Sequence, residues 1–218
     1  MACGRLGTDL DAVIAIEVTL PDSGIVERGD TMIPRARALN GRGDSVAAPI
    51  AWASLDPAIV AVVDSASGAT LGLSAGSGRI QARVGSLRSN PIAVTVQPPA
   101  DSARAEGGTR DTVVVSGPPP DSLSDSLRVR LAATPSTPQN LVRRLVTFDM
   151  STYPAGSSGA TLVPNDTVRT TTQGIAVVQV RVAGGPRPDS VIVTGRAQRA
   201  DGTPVPGSPI TFVVEFRP

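Results

Sequence analysis

The chain has no histidine, no lysine and one cysteine, and aromatic residues fill only 2% of its 218 positions. Each shortage removes a class of chemistry. Without histidine there is no imidazole base for a nucleophile triad, and the usual His/Cys zinc sites have no ligands. A single cysteine cannot close an internal disulfide. Serine is plentiful, but no Gly-x-Ser-x-Gly elbow is present, and a Ser–Lys dyad is impossible. The four glutamates, Glu17, Glu27, Glu106 and Glu215, are scattered, so a two-carboxylate hydrolase has no evident pair. The formal net charge is +1 with both signs interspersed, which gives no electrostatic basis for binding nucleic acid or an anionic bilayer. No apolar run approaches the length of a membrane-spanning helix. These exclusions predict a protein that is not an enzyme and carries no cofactor.

Small and turn-forming residues are abundant. There are 22 glycines and 20 prolines, yet 40% of the chain is apolar and 18% charged, so a core can form. Short runs rich in Val, Ile, Ala and Thr alternate between apolar and polar positions. In the first half they fall at 13–20, 31–39, 50–54, 60–63, 70–73, 79–84 and 92–96. Between them stand turn clusters such as Pro21-Asp22-Ser23-Gly24, Ala75-Gly76-Ser77-Gly78 and Ser89-Asn90-Pro91. After Gln97-Pro98-Pro99 the pattern resumes at 112–116, 126–133, 145–150, 160–163, 167–172, 175–182, 190–197 and 210–216. The loops around Pro118 and Pro135 fit no element. Seven or eight short strands on each side of a proline break predict an all-β chain of two tandem antiparallel β-sandwiches. The expected organisation is an N-terminal segment 1–11, a first domain 12–97 and a second domain 98–218.

Particular segments sharpen this. Val26-Glu27-Arg28-Gly29-Asp30-Thr31 reads as a turn into a core strand, and Ala38-Leu39-Asn40-Gly41 as a strand ending in a turn. The segment Trp52-Ala53-Ser54-Leu55-Asp56-Pro57-Ala58-Ile59-Val60-Ala61-Val62 matches the Trp-x-Ser-x-Asp-Pro signature of group-2 bacterial immunoglobulin-like domains. Residues 12–97 resemble that family; Leu71-Gly72-Leu73-Ser74 departs from its usual order. Trp52, the one large aromatic of this half, is expected between the sheets, with Asp56-Pro57 starting a turn. Residues 101–218 resemble the invasin-type (group-1) domains through Leu145-Val146-Thr147-Phe148, Thr172-Gln173-Gly174-Ile175-Ala176 and Pro209-Ile210-Thr211-Phe212.

Four sets of residues are candidate sites. Met1-Ala2-Cys3-Gly4 resembles the end of a bacterial lipobox, which makes Cys3 a candidate lipid anchor; an incidental thiol is the other reading. Arg42-Gly43-Asp44 and Arg28-Gly29-Asp30 are integrin-type tripeptides, although such turns need Gly-Asp in any case. Asp121 with Asp125, and Asn165 with Asp166, place carboxylates on loops without a calcium-binding pattern, so no metal is assigned. Arg128 with Arg130, and Arg143 with Arg144, are read as arginine-bearing strand faces able to dock carboxylates, with solvation as the alternative.

The resemblance implies two tandem immunoglobulin-like antiparallel β-sandwiches that form a non-catalytic extracytoplasmic module of the periplasm or cell surface, such as a surface adhesin or a cell-wall or glycan-binding module. The expectation placed first is a scaffold or accessory subunit of a membrane-associated assembly, a photosynthetic reaction-centre–light-harvesting complex being one instance, and no motif carries it. In both the expected partners are proteins or a surface ligand, with the membrane reached only through Cys3.

Overall fold

The structure, a computed structural model, describes residues 10–115, 121–134, 139–184 and 186–217. The chain divides into two compact units, Met1–Pro98 and Pro99–Pro218.

The first unit contains β1 (Val13–Thr19), β2 (Ile25–Glu27), β3 (Thr31–Met32), β4 (Arg35–Asn40), β5 (Ser45–Val46) and β6 (Ala51–Ser54). It continues with β7 (Val60–Asp64), β8 (Ala69–Gly72), β9 (Gly76–Val84), β10 (Leu87–Arg88) and β11 (Ile92–Gln97). One layer runs β6-β9-β11-β2. The opposite layer is made by β1 paired with β4 and by β3-β8-β7. The run expected as one strand over 31–39 is broken at Ile33-Pro34. Its first part pairs with β8 and its second part with β1. Pro34 has no N–H to give to a ladder, which explains the break. Inward alternation survives it, since Met32, Pro34, Ala38 and Asn40 are all buried. With β3 and β4 counted as one broken strand, the layers are A-B-E-D and C-F-G, the immunoglobulin order. Trp52, Ile80, Val94 and Val96 from one layer meet Met32 and Val60 from the other to form the core.

The second unit contains β12 (Ser102–Ala105), β13 (Arg110–Val114), β14 (Asp121–Leu123), β15 (Leu127–Ala133), β16 (Gln139–Asn140) and β17 (Leu145–Tyr153). It ends with β18 (Ala160–Val163), β19 (Thr167–Arg169), β20 (Ile175–Ala183), β21 (Ser190–Ala197) and β22 (Ile210–Arg217). One layer is β12-β15-β20, with β18 on the far side of β20. The other is β13-β22-β21-β17-β19. These are again A-B-E-D and G-F-C. Val129 and Leu131 of β15 and Val178 and Val180 of β20 face Phe148, Val193 and Phe212, all buried.

Both units add one parallel pair to otherwise antiparallel sheets: β2 beside β11, and β13 beside β22. Strands β2 and β12 lie outside the expected runs: Val26-Glu27, expected in a turn, pairs with Val96-Gln97, and β12 shows a single fully buried position, Ala103. One turn cluster proves to be strand. Gly76, Ser77 and Gly78 pair with Val96, Thr95 and Val94, so β9 starts three residues before the expected Arg79. Ser89-Asn90-Pro91 interrupts a single edge, because β10 and β11 both run along β9.

Candidate functional site

In the first unit the Trp-x-Ser-x-Asp-Pro segment builds a corner. Trp52 sits buried on β6. Two residues on, Ser54 Oγ donates to the Val60 carbonyl at 2.7 Å and accepts the Asp56 N–H at 3.2 Å. The Asp56 carbonyl accepts the Ile59 and Val60 N–H groups, closing the Asp-Pro turn. The Asp56 carboxylate grips Arg79 at three points: Nε at 2.8 Å, Nη2 at 3.2 Å and the backbone N–H at 2.9 Å. That guanidinium holds the Asp56 carboxyl below its ordinary value, and Asp56 in turn raises Arg79.

Arg42-Gly43-Asp44 lies exposed at the tip of the β4–β5 hairpin, with Gly43 at φ 84°. Asn40 Oδ1 accepts the N–H groups of Arg42 and Asp44 at 2.9 and 3.0 Å, and Arg42 reaches Asp11 at 3.2 Å. Arg28-Gly29-Asp30 forms the turn between β2 and β3. Both tripeptides therefore have a turn-making role. Cys3 lies outside the described residues.

Of the aspartates expected on loops, Asp166 stands in a turn with Asn165, whereas Asp121 begins β14 and Asp125 is tied to β13. Asn165 Oδ1 accepts the Thr167 N–H, and Asp166 Oδ1 accepts the Thr167 hydroxyl. The Asp125 backbone N–H donates to Asp111 Oδ2, while the Asp121 side chain lies outside the described residues. No group of three or more His, Cys, Asp or Glu able to hold a metal occurs among the described residues.

The two arginine pairs separate. Arg143 and Arg144 stand in the turn before β17, where Arg143 has φ 60°, so they form no strand face. Their backbone N–H groups go to Thr170, and burial lowers the pKa of Arg144. Arg128 and Arg130 do share the outer face of β15, because Leu127, Val129 and Leu131 point into the core. Arg104, which the sequence reading left aside, is the register partner of Arg130 on β12. Glu106 follows on the same side. Its oxygens accept Arg130 Nε at 2.6 Å and Nη2 at 2.9 Å. Arg130 Nη1 is held by Asn140 Oδ1 and the Gln173 carbonyl. The three arginines keep the Glu106 carboxyl below its ordinary value, the bidentate Arg130 most of all. Beside this group opens a cleft of about 360 Å³ bordered by Glu106, Gly107, Arg110, Asp111, Asp125 and Arg128.

One arrangement invisible in the sequence occurs in both units. Ser89 donates its N–H to Ala82 O, accepts the Ala82 N–H on Oγ at 3.1 Å, and passes its own hydroxyl to Asn90 O at 2.9 Å. Gln81 Nε2 closes the group on the Ser89 carbonyl at 2.7 Å. Ser124 repeats every bond with Val180, Asp125 and Gln179. In each case the serine bridges an interruption in a strand edge, giving a buried N–H an acceptor that the ladder no longer supplies.

No family model matches the chain, and no curated protein matches it. Solved structures do. Domains 4 and 5 of the S-layer protein SbsC share 13% identity over 94% of this chain and 99% of theirs, with a TM-score of 0.35. The adhesin InvE of Yersinia pseudotuberculosis shares 20% identity over 92% of this chain and 59% of its own, with a TM-score of 0.39. Fibronectin(III)-like modules of CbhA from Clostridium thermocellum share 12% identity over 92% and 94%, with a TM-score of 0.40. Among the described residues no helix is long and apolar enough to cross a membrane.

Proposed function

We propose that the chain is a non-catalytic extracytoplasmic module that joins other proteins through the faces and loops of its two sandwiches. The observation that carries this is the use made of its ordered polar groups. Asp56 with Arg79, Glu106 with Arg130, and the Ser89 and Ser124 groups all tie strands and turns together. Glu17 engages Arg37 across β1 and β4 in the same manner. These groups build a framework, and recognition falls to the surface they present. The segment from Trp52 to Val62 supports a group-2 domain over 12–97, and the invasin-type segments support the second domain over 98–218.

Within this reading the chain is a scaffold or accessory subunit of a membrane-associated assembly, of which a photosynthetic reaction-centre–light-harvesting complex is one instance, tethered through a lipid on Cys3. The test is purification of the tagged protein from native membranes. Recovery in fixed stoichiometry with a membrane complex supports the subunit. A lone chain that binds glycans or cell surfaces makes it an adhesin, and turnover of any substrate overturns the non-catalytic reading. Incorporation of labelled fatty acid that is lost in Cys3→Ser tests the tether.

A further inference from the structure

We propose that the outer face of β12 and β15, at Arg104 and Arg128, docks an acidic segment of a partner protein. This deepens the reading above by naming the chemistry of the partner. Arg104 and Arg130 are direct cross-strand partners, and Arg128 precedes Arg130 by one same-face step. Like charges placed directly opposite each other disfavour a sheet, so this grouping carries a cost in the free protein. Glu106 relieves only part of it. Both of its oxygens are taken by Arg130, whose remaining Nη is itself held by Asn140 and Gln173. Arg104 and Arg128 make no ion pair or side-chain hydrogen bond among the described residues, and both are exposed. Three guanidinium groups thus share one carboxylate, and only Arg130 is hydrogen-bonded to it.

The spacing selects the ligand. Arg104 and Arg128 stand on a diagonal between neighbouring strands, a separation of roughly 7 Å. Alternate side chains of an extended peptide are spaced by about the same distance. A Glu-x-Glu segment can therefore place one carboxylate on each guanidinium, in the bidentate manner that Glu106 already shows with Arg130. The cleft beside Arg128 gives the peptide a direction. Gly107 and Gly108 leave its floor without side chains, and Arg110 borders it. Asp111 and Asp125 border it too, so the acidic residues are directed to the Arg104–Arg128 side and neutral ones to the cleft. Two free guanidinium groups are few for holding a protein to an anionic bilayer, which favours a peptide over a membrane.

The experiment uses the full chain, labelled with 15N, and a twelve-residue peptide of alternating Glu and Ser, compared with its Gln-for-Glu version. The expected result at low salt is saturable binding of the acidic peptide alone, with shifts confined to β12, β15 and the Arg104 and Arg128 Nε–H signals. Arg104→Ser with Arg128→Ser is expected to weaken it at least roughly tenfold. Glu106→Gln, which frees Arg130, is expected to strengthen it about threefold. Arg37→Ser, on the first unit, leaves it unchanged. Equal binding by the double variant overturns the proposal, as does no binding by the wild type. Sedimentation with phosphatidylglycerol vesicles in place of peptide binding also overturns it. A double variant that still copurifies with a native complex removes this face while leaving the docking function in place.

Discussion

Gly68 lies flat against the indole of Trp52. A Cβ built on Gly68 would stand 2.7 Å from Nε1 and 2.8 Å from Cδ1 and Cε2, and its φ is 77°. The tight turn after β7 and the filling of the first core are therefore one constraint. The hydroxyl of the buried Thr70 fixes the same turn by donating to the Gly68 carbonyl at 2.8 Å. Gly68→Ala adds left-handed strain to a clash with a ring that has nowhere to move. The expected loss is about 2–4 kcal/mol. Urea unfolding followed by Trp52 fluorescence measures it, because Trp52 is the only tryptophan. An unchanged midpoint would show that the indole packs elsewhere.

Ser124 is expected to matter more than a loop serine should. Ser124→Ala removes the acceptor of the buried Val180 N–H, at a cost of about 1–3 kcal/mol. Ser89→Ala does the same to Ala82 in the first unit. Hydrogen exchange reads the effect residue by residue. The Val180 amide should exchange much faster in Ser124→Ala, while Phe212, in the opposite sheet, should keep its relative protection. Equal acceleration at both would indicate general loosening and no latch.

These serines show where sequence reading stops. Alternation exposed the long strands, because each has one face in a core: Val178, Val180 and Val182 are buried while Arg181 is exposed. Trp52 and Asp56-Pro57 were visible because few residue types make that corner. The Ser89 and Ser124 groups were not visible, since a serine bridging a strand edge and a serine in a turn look alike in sequence. Strand β2 escaped because three residues carry no period and its partner, β11, is far along the chain. The arginine face was half legible. Arg128 and Arg130 announce themselves by alternation, but Arg104 joins them only through the register of β12 on β15. Adjacent arginines at 143 and 144 carried no such information, and they fall in a turn.

Asp56 and Arg79 should not be equivalent when mutated. Arg79→Ala removes the ion pair but leaves the Arg79 backbone N–H on Asp56 Oδ2. Asp56→Ala removes both and leaves the Arg79 guanidinium without its carboxylate. The urea midpoint should therefore fall further in Asp56→Ala than in Arg79→Ala. Asp56→Asn, which keeps an oxygen for the backbone N–H, should resemble Arg79→Ala. Both residues are solvent-accessible, so all three losses should be smaller than that of Gly68→Ala. Three indistinguishable midpoints would mean that the corner is held by Ser54 and the turn backbone alone.

Stability should be flat through neutrality and fail only in acid. With no histidine, no side chain has an ordinary pKa between about 5 and 7. Five carboxyls among the described residues are held below their ordinary values in the folded state. Asp56 is held by Arg79, Glu106 by Arg130, Asp64 by the Ser67 hydroxyl, Asp101 by Thr134 and Asp201 by Thr203. A depressed folded pKa means that the charged form is favoured in the native state. Its stabilisation is complete above the ordinary values of 3.8 for aspartate and 4.5 for glutamate, and it disappears as pH falls through the lower folded values. The urea midpoint should therefore hold steady from about pH 7 to 5.5 and drop below about pH 4. Salt should divide the causes. Asp56 and Glu106 owe their shifts to guanidinium partners, which 1 M salt screens, whereas the other three rest first on hydroxyl and backbone donors, which it does not, with a smaller contribution from the Arg199 charge at Asp101 and Asp201. The acid limb should therefore become shallower in salt without vanishing. A step in stability between pH 5.5 and 7 would show that another group titrates on unfolding.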